Sequence, residues 1–457
     1  MSVYRTAPQP MKRIPLVLAI LLVLSETLPA QSTITSKVVR EKIAGIDLVA
    51  CRTDVKDVVT FRGSLPAGDT FAPRENMAVP TLVGGMLDQG TTKQNKFEIA
   101  QKLESIGASI AFEVEGVMTQ FHGKCLRKDL PLVISILAEE LREPAFAAEE
   151  FEKLKKQITG DLQRAMESTD FRADQAFSET VFPPGHPNHT PPVKEFLTAV
   201  QTAKLEELKQ FHREYYGPAQ ATLVAVGDID VEVLKSEIAR SFDGWSGGKT
   251  LPDFPKTAAP NERTEQTIPM ADKPNVSVLI GQSSGLRYRD PDALALRVGT
   301  AVLGSGFTGR LMGTVRDKEG LTYGIGAGIS GMSDAFSDGE WRIAGNFAPQ
   351  LLEKGMASTR RELDAWYAQG ITAAELERMK TNLVGTFKVG LATTEGLASA
   401  LLNAVHRGYD VNWLDEYPKR VAALSLPEVN AAIKKYLRPD KMTVIKAGSV
   451  PPPTDRR

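Results

Sequence analysis

Histidine is the side chain in this sequence best suited to bind a transition metal. The chain has five: His122, His186, His189, His212 and His406. Only His186 and His189 lie close together, in the proline-rich segment Phe182–Pro192, which contains no cysteine or acidic residue. A zinc site needs imidazoles together with further thiolate or carboxylate ligands. We therefore expect this pair to belong to a loop between helices, and the other three histidines to be structural.

A glycine-rich segment, Gly304–Gly309, is the second pattern that could carry chemistry. It has the sequence Gly-Ser-Gly-Phe-Thr-Gly and lacks the Gly-Lys-Ser/Thr ending of a phosphate-binding loop. We interpret it as a backbone turn with close packing.

The chain has two cysteines, Cys51 and Cys125. An oxidising compartment would permit a disulfide bridge between them. Two buried free thiols agree equally well with the sequence, because spacing along the chain does not fix the distance between the two Cα atoms.

The overall composition is that of a folded protein without a nucleic-acid ligand. The chain has 457 residues, of which 42% are hydrophobic and 24% charged, and its formal net charge is -1. This length is enough for two or three domains. A protein that binds nucleic acid or anionic lipid usually carries a basic excess. We therefore expect neither partner.

The N-terminal segment has the features of an export signal. Lys12 and Arg13 precede the apolar run Ile14–Leu24, and Ala30 provides a cleavage point before a polar residue. The run is too short to span a bilayer as a mature helix. We predict a signal peptide at residues 1–30 and a periplasmic protein without membrane attachment after cleavage. The alternative is an uncleaved anchor.

The elements that must position any site occur twice along the chain. In segments 146–160 and 371–385, apolar residues recur every three or four positions after an acidic first turn, which indicates an amphipathic helix in each. A second matching pair, a proline-containing turn followed by a short β-branched strand, lies at 215–227 and 436–448. Two matches in the same order indicate a duplicated unit.

The duplication predicts the domain boundaries and the fold class. We place a first lobe at residues 43–245, an extended proline- and glycine-rich linker at 246–266, and a second lobe at 267–450. Strand-rich starts followed by helices indicate an α+β sandwich in each lobe. The starting strands are predicted at residues 46–50, 58–64 and 275–282.

Several segments resemble the pitrilysin/insulinase family of zinc peptidases. Pro80–Thr91 is similar to the first active-site helix of the family, where an inverted HxxEH motif precedes Met-Leu-x-x-Gly-Thr. Phe97–Ala108 is similar to the next helix and its Ile-Gly turn. Leu303–Phe307 resembles the glycine-rich stretch of the second lobe, and Val315–Tyr323 resembles a Leu-Arg-x-x-x-x-Leu-x-Tyr segment. The resemblance implies a clam-like fold of two homologous lobes, each with a mainly antiparallel sheet covered by helices.

The zinc-binding motif of the family is missing. Alignment by resemblance places Thr81 and Gly85 at the two His positions, Gly84 at the general-base Glu position, and Asp161 at the distal Glu ligand. Glycine supplies neither a ligand nor a base, and a threonine hydroxyl is a poor zinc donor. The resemblance therefore implies that this chain binds no zinc cofactor and does not cut peptides alone.

The second lobe retains two other residues of the family pattern, Arg316 and Tyr323. In the family, the second lobe faces the zinc across a closed chamber, and the resemblance implies that both residues reach into it. There a Tyr hydroxyl can donate a hydrogen bond to an oxyanion, and an Arg can fix a substrate carbonyl or carboxylate. The alternative is structural: Arg316 would pair with Asp317 or Glu319, and Tyr323 would be a half-buried strand residue.

Three hypotheses follow. In the first, the chain resembles the non-catalytic subunit of a two-chain exported zinc peptidase, whose homologous partner carries HxxEH and the zinc and forms a heterodimer with it. In the second, the chain alone binds extended peptides by strand addition to a sheet edge. In the third, it is an active zinc peptidase with unorthodox ligands.

Overall fold

The computed structural model of the protein describes residues 33–260, 262–331 and 336–450, so the predicted signal peptide lies outside the described residues. No helix within these ranges is long and apolar enough to cross a membrane. The strands of the first unit are β1 (Val38–Ile43), β2 (Ile46–Arg52), β3 (Val58–Leu65), β4 (Ser109–Glu115), β5 (Met118–Leu126) and β6 (Thr222–Gly227). Its helices are α1 (Val79–Gly84), α2 (Lys96–Ser105), α3 (Leu130–Arg142), α4 (Ala148–Ala165), α5 (Thr169–Val181), α6 (Val193–Thr202), α7 (Leu205–Tyr215) and α8 (Val231–Ser241).

The second unit has the same alternation of strands and helices. Its strands are β7 (Glu265–Pro269), β8 (Val276–Ser283), β9 (Gly324–Ser330), β10 (Glu340–Phe347) and β11 (Thr443–Gly448). Its helices are α9 (Ala293–Gly304), α10 (Leu352–Gln369), α11 (Ala373–Gly390), α12 (Thr394–His406), α13 (Trp413–Ala423) and α14 (Leu426–Tyr436).

The two sheets have corresponding topologies. The first has the strand order β1-β2-β6-β3-β5-β4, and the second β7-β11-β8-β10-β9. In each sheet one neighbouring pair is parallel, β2 with β6 and β7 with β11, and the other pairs are antiparallel. Apart from β1, which lies upstream of the predicted lobe, the orders match strand for strand. The predicted α+β class and mainly antiparallel sheets are confirmed.

The repeated landmarks occupy equivalent places in the two units. The matching helices are α4 and α11, each of 18 residues. The matching strands β6 and β11 end at Gly227 and Gly448, where φ is 141° and 140°. A Cβ atom would lie 2.1 Å from the carbonyl oxygen of Val58 at the first glycine and 2.5 Å from that of Asn275 at the second. Both positions therefore require glycine for the same two reasons, a positive φ and the close approach of a backbone.

Each sheet is covered on one face by a helix that belongs to the other unit. Helix α12 packs on β3 and β6, while α5 packs on β8 and β11. The polar contacts repeat as well: Thr60 Oγ1 lies 2.8 Å from Thr394 Oγ1, and Ser277 Oγ donates to Thr169 Oγ1 over 2.7 Å. A sheet that is apolar on both faces needs cover on both sides. The exchanged helices supply that cover and join the two units through their cores.

The segment between the units is extended and is held in place by contacts with both units. Residues 246–260 and 262–264 contain no helix or strand. Leu251 packs with Val117 and Met118 of the first unit, and Arg287 of the second unit donates to the carbonyl oxygen of Phe254 over 2.6 Å. The segment therefore contacts both units along its course.

The two cysteines are buried free thiols. Cys51 lies in β2 and Cys125 in β5, with β6 and β3 between them in the sheet. Three strand spacings separate them by about 14 Å, whereas a disulfide requires Cα atoms closer than about 7 Å. Of the two possibilities left open by the sequence, the structure supports free thiols.

Candidate functional site

The short helix α1 carries the positions aligned with the zinc motif. Pro80 stands in its first turn, where the missing N–H of proline costs no helical hydrogen bond, and the helix ends at Gly84. The hydroxyl of Thr81 donates a 2.7 Å hydrogen bond to Oδ1 of Asp69. The side chain at the first His position is therefore engaged by a carboxylate of the same chain.

Asp69 is a residue of this region that the sequence analysis missed. Burial raises the pKa of its carboxyl to about 6; the hydrogen bond from Thr81 lowers this pKa, and the Glu115 carboxylate raises it. Asp69 begins a short 3-10 turn, Asp69–Phe71, ahead of α1. This turn has no apolar periodicity, so the sequence could not predict the contact between Asp69 and Thr81. The two side chains meet only in the folded chain.

The two glycines of the motif positions face apolar side chains. A Cβ atom on Gly84 would lie 2.2 Å from Cγ2 of Val114 in β4. A Cβ atom on Gly85 would lie 2.9 Å from Cδ2 of Leu154 in α4. The space that a Glu and a His would need is thus occupied by Val114 and Leu154. The region is closed by packing, in addition to lacking ligands.

Asp161, at the distal ligand position, lies in α4 and forms an ion pair with Arg164 one turn further along. It follows Leu154 by two helical turns, a rise of about 10 Å along the axis. Within the described ranges, no three His, Cys, Asp or Glu side chains are grouped so that they could hold a metal ion.

Arg316 lies in a π-helical turn of the second unit, Met312–Lys318. Gly320, with φ 63°, follows the turn. Met312 and Val315 are its buried residues and anchor it to the core. Such π turns are rare and often found at functional sites. The Arg316 side chain is 30% exposed and lies beside the start of β9.

Arg316, Tyr323 and Phe307 form a group that we call the Arg–aromatic cluster. The guanidinium carbon of Arg316 lies 5.5 Å from the ring centroid of Tyr323 and 5.2 Å from that of Phe307. Cations are attracted to aromatic faces at these distances. The structure therefore brings the two predicted residues together and adds a third.

The structural alternative for this pair holds only in part. Nη1 of Arg316 lies 3.4 Å from Oδ1 of Asp317, whose side chain is 51% exposed. Exposed ion pairs of this kind contribute little stability. Tyr323, in contrast, is 89% exposed, so the prediction of a half-buried strand residue was wrong. Its phenol is available to a ligand.

Phe307 was overlooked because it lies inside the glycine-rich stretch. Gly306 before it has φ 61°, and a Cβ atom on Gly304 would lie 1.9 Å from the backbone nitrogen of Ala327. The interpretation of this stretch as a turn with close packing is confirmed. The turn holds the Phe307 side chain 71% exposed. An aromatic residue between glycines of a turn was the available signal.

Four of the histidines have protein partners. The His186 Nε2 lies 3.0 Å from Oδ1 of Asp338, and the His189 Nδ1 lies 2.9 Å from the carbonyl oxygen of Phe182. The His212 Nε2 lies 2.9 Å from the Leu141 carbonyl oxygen, and the His406 Nε2 lies 2.6 Å from Ser64 Oγ. Burial lowers the pKa of both His212 and His406 to about 4. These contacts support structural roles.

Two serines match the Gly-x-Ser-x-Gly pattern of a nucleophile elbow. Ser246, in Gly244–Gly248, lies in the segment between the units, which has no helix or strand; the other is Ser283, in the segment Gly281–Gly285. It is 4% exposed, and its hydroxyl donates to the carbonyl oxygen of Ala258 over 3.1 Å. A nucleophile elbow requires a sharp strand-to-helix turn, whereas α9 begins only at Ala293. Ser283 is therefore a packed strand-end residue.

Two family models match successive parts of the chain. Residues 48–184 match the model described as insulinase (peptidase family M16), and residues 202–383 match that described as peptidase M16 inactive domain. Both models are of peptidase family M16; the first match lies within the first unit, and the second runs from the end of α6 through the rest of the first unit into α11 of the second.

Individual relatives agree with the family models. An uncharacterized zinc protease of Streptomyces coelicolor is 23% identical over 362 residues, which cover 77% of this chain and 76% of the relative. The non-peptidase homolog YmxG of Helicobacter pylori is 22% identical over 395 residues, covering 84% and 87%. The crystal structure of a peptidase M16 inactive domain from Pseudomonas fluorescens superposes with a TM-score of 0.82 at 22% identity, covering 90% of this chain and 97% of that one.

Proposed function

The chain belongs to the insulinase (peptidase M16) family, as an inactive member without the HxxEH motif, and we propose that it is the non-catalytic subunit of an exported zinc metallopeptidase. Its homologous partner subunit would carry HxxEH and bind the zinc. The two subunits would enclose a chamber that degrades extended peptides. This chain would contribute Arg316 and Tyr323 to the substrate.

The Arg–aromatic cluster is the observation that carries this proposal. Tyr323 is 89% exposed and Phe307 is 71% exposed, although exposed aromatic side chains add little to folding. Zinc on the partner would activate the attacking water and polarise the peptide carbonyl. The Tyr323 hydroxyl would donate to the developing oxyanion, and the Arg316 guanidinium would fix a substrate carbonyl or carboxylate.

The packing at α1 supports a non-catalytic role rather than an unorthodox zinc enzyme. Val114 and Leu154 occupy the space where motif side chains would start, and Thr81 is bonded to Asp69. We expect the purified mature chain to contain far less than one zinc ion per molecule and to leave unstructured peptides intact. Metal analysis that finds stoichiometric zinc, lost on chelation together with peptide cleavage, would contradict this.

Export is part of the proposal and rests on the N-terminal sequence. Lys12 and Arg13, the apolar run Ile14–Leu24 and the small residue Ala30 follow the order of a signal peptide. We propose a periplasmic location after cleavage. Cell fractionation of a tagged full-length chain, with N-terminal sequencing of the product, tests it.

The decisive experiment uses the mixed complex. Reading frames that neighbour this gene should include an HxxEH homologue, which is coexpressed and copurified with this chain. Tyr323→Phe removes one hydroxyl and keeps the ring, so complex formation should persist while peptide turnover falls by roughly a hundredfold. Arg316→Ala should also weaken substrate use, through positioning.

Two controls separate chemistry from structure. Tyr367→Phe removes a phenol hydroxyl from α10, and Arg378→Ala removes a guanidinium group from the exposed face of α11; both should cleave at the unmutated rate. Complex formation is checked by sizing for every variant. If Tyr323→Phe and Arg316→Ala cleave as fast as these controls in an intact complex, the shared-active-site proposal fails.

A stand-alone peptide-binding protein is the alternative. Strands β4 and β9 each lie at one edge of their sheet, and an edge strand can accept an extended peptide through backbone hydrogen bonds. This alternative predicts peptide binding by the purified chain without any HxxEH partner and without cleavage. Titration of the chain alone with an extended peptide, compared with the copurified complex, distinguishes the two.

A further inference from the structure

Two arginines of the second unit lie together without an acidic partner. Arg297 is in α9, and Arg407 directly follows α12. Their guanidinium carbons lie 4.4 Å and 3.8 Å from the ring centroid of Tyr288. Neither arginine forms an ion pair or a side-chain hydrogen bond with another residue of the described ranges, and the Nε of Arg407 is buried without a partner.

This arrangement is electrostatically unfavourable as it stands. Burial lowers the pKa of Arg407, the phenol of Tyr288 raises it, and the positive charge of Arg297 lowers it again. An arginine nevertheless stays charged in a protein. Buried charges are normally paired, because an unpaired one loses its hydration without compensation. A bound anion would compensate this charge.

Aromatic rings fix the positions of the two cations. Tyr409 stacks on Trp413 with ring centroids 3.8 Å apart and meets Tyr288 edge-on at 6.0 Å. Tyr417 packs against Phe387 at 4.6 Å. Rings held in this way leave the guanidinium groups little freedom, which lowers the entropic cost of binding a ligand.

A cavity of about 180 Å³ opens beside Arg297 and Tyr417. It lies between α9, α11, α13 and the edge strand β9, and its walls combine the apolar Leu294, Val298, Ile329 and Leu383 with the hydroxyl-bearing Thr300 and Ser305. The cavity is smaller than the pockets of about 300–1,000 Å³ that hold drug-sized molecules. It suits one apolar side chain next to a charged group.

We propose that Arg297, with the positive charge of Arg407 close by on the same Tyr288 ring, binds an apolar organic carboxylate, namely the C-terminal carboxylate of a peptide whose last side chain enters the cavity that Arg297 lines. The planar donor fork of arginine matches the two oxygens of a carboxylate. The apolar side chains of the walls favour such a ligand over a free inorganic anion. The peptide as ligand class rests on the proposed function, but the site uses neither the Arg–aromatic cluster nor a partner subunit.

The test is a calorimetric titration of the mature chain alone. The probes are a short peptide that ends in leucine with a free carboxylate, the same peptide as its C-terminal amide, and inorganic phosphate. The free acid should bind at least about tenfold more tightly than the amide, because the amide cannot accept charge-assisted bonds from arginine. Equal affinity of acid and amide, or no binding of the acid, overturns the proposal.

Variants separate binding from a purely structural role of the arginines. Arg297→Gln should abolish the preference for the free acid, whereas Arg289→Gln, which removes an exposed guanidinium near Tyr409, should retain it. If Arg297→Gln does not fold, Leu383→Phe is used instead, because it fills the cavity without changing its charge. This variant should bind the free-acid peptide more weakly. Unchanged affinity in a folded Arg297→Gln or Leu383→Phe chain overturns the site, and phosphate binding as tight as the peptide overturns the organic ligand. Failure of the mixed-complex assay would leave this result unaffected.

Discussion

The residues around α1 in the first unit, here called the α1 region, are closely packed, whereas the Arg–aromatic cluster of the second unit is exposed. In the α1 region, Gly84 and Gly85 have no side chains, so Val114 and Leu154 pack directly against the backbone. In the cluster, aromatic side chains project into solvent although burial would stabilise them. The first arrangement is explained by stability alone, and the second is not. The comparison therefore directs a search for function to the second unit.

The largest effect is expected from restoring the motif. The variant Thr81→His, Gly84→Glu, Gly85→His inserts side chains where Val114 and Leu154 stand and buries a carboxylate. We expect the free energy of unfolding to fall by about 5 kcal/mol or more, or folding to fail. Asp161 has a shorter reach than Glu, and we expect the residues that would orient the ligands to be lost as well. Denaturation and a peptide assay measure the outcome. If the variant has wild-type-like stability and zinc-dependent turnover, the α1 region is not closed by packing, and its contrast with the open Arg–aromatic cluster is refuted.

A single methyl group tests the closure more finely. Gly84→Ala places Cβ 2.2 Å from Cγ2 of Val114, so the free energy of unfolding should fall by about 2 kcal/mol. Adding Val114→Ala should recover much of this loss. Gly385→Ala in α11 is the control, because a Cβ atom there would have no neighbour within 4 Å. It should be neutral or stabilising, and an equal loss in both variants would count against closure by packing.

Asp69 gives the stability of the α1 region a pH dependence. Its folded-state pKa is raised to about 6 by burial, so its contribution to stability is full below its ordinary pKa and is lost as the pH rises through 6. Asp69→Asn still accepts from Thr81 but carries no charge. Its stability relative to wild type should therefore increase by about 2 kcal/mol between pH 4 and pH 7.5. A difference that is independent of pH in thermal unfolding would show that Asp69 is not buried as described.

The smallest effects on stability are expected in the open region. Tyr323→Phe and Phe307→Ala should each change the free energy of unfolding by less than about 0.5 kcal/mol, because both side chains are mostly exposed. Denaturant titration measures this. A loss of 2 kcal/mol in either variant would mean that the cluster is a structural element after all.

The sequence could predict much of the fold because the unit is repeated. Apolar periodicity identified α4 and α11, and the turn-and-strand landmarks identified β6 and β11. It could not predict that α5 and α12 exchange sheets, because an amphipathic face does not state which surface it will cover. The alternative of a half-buried strand position for Tyr323 is wrong, because Tyr323 lies just before β9 and is 89% exposed.

The sequence by itself shows that the HxxEH motif is absent. Thr81, Gly84 and Gly85, which the resemblance aligns with that motif, cannot supply imidazoles or a base, whatever the fold. Tertiary structure alone decided what fills their place and what meets elsewhere: Val114 at the glycines, Phe307 beside Arg316, and Arg297 near Arg407. Such contacts join residues far apart in sequence, and their geometry follows from how sheets and helices pack, which local patterns do not encode.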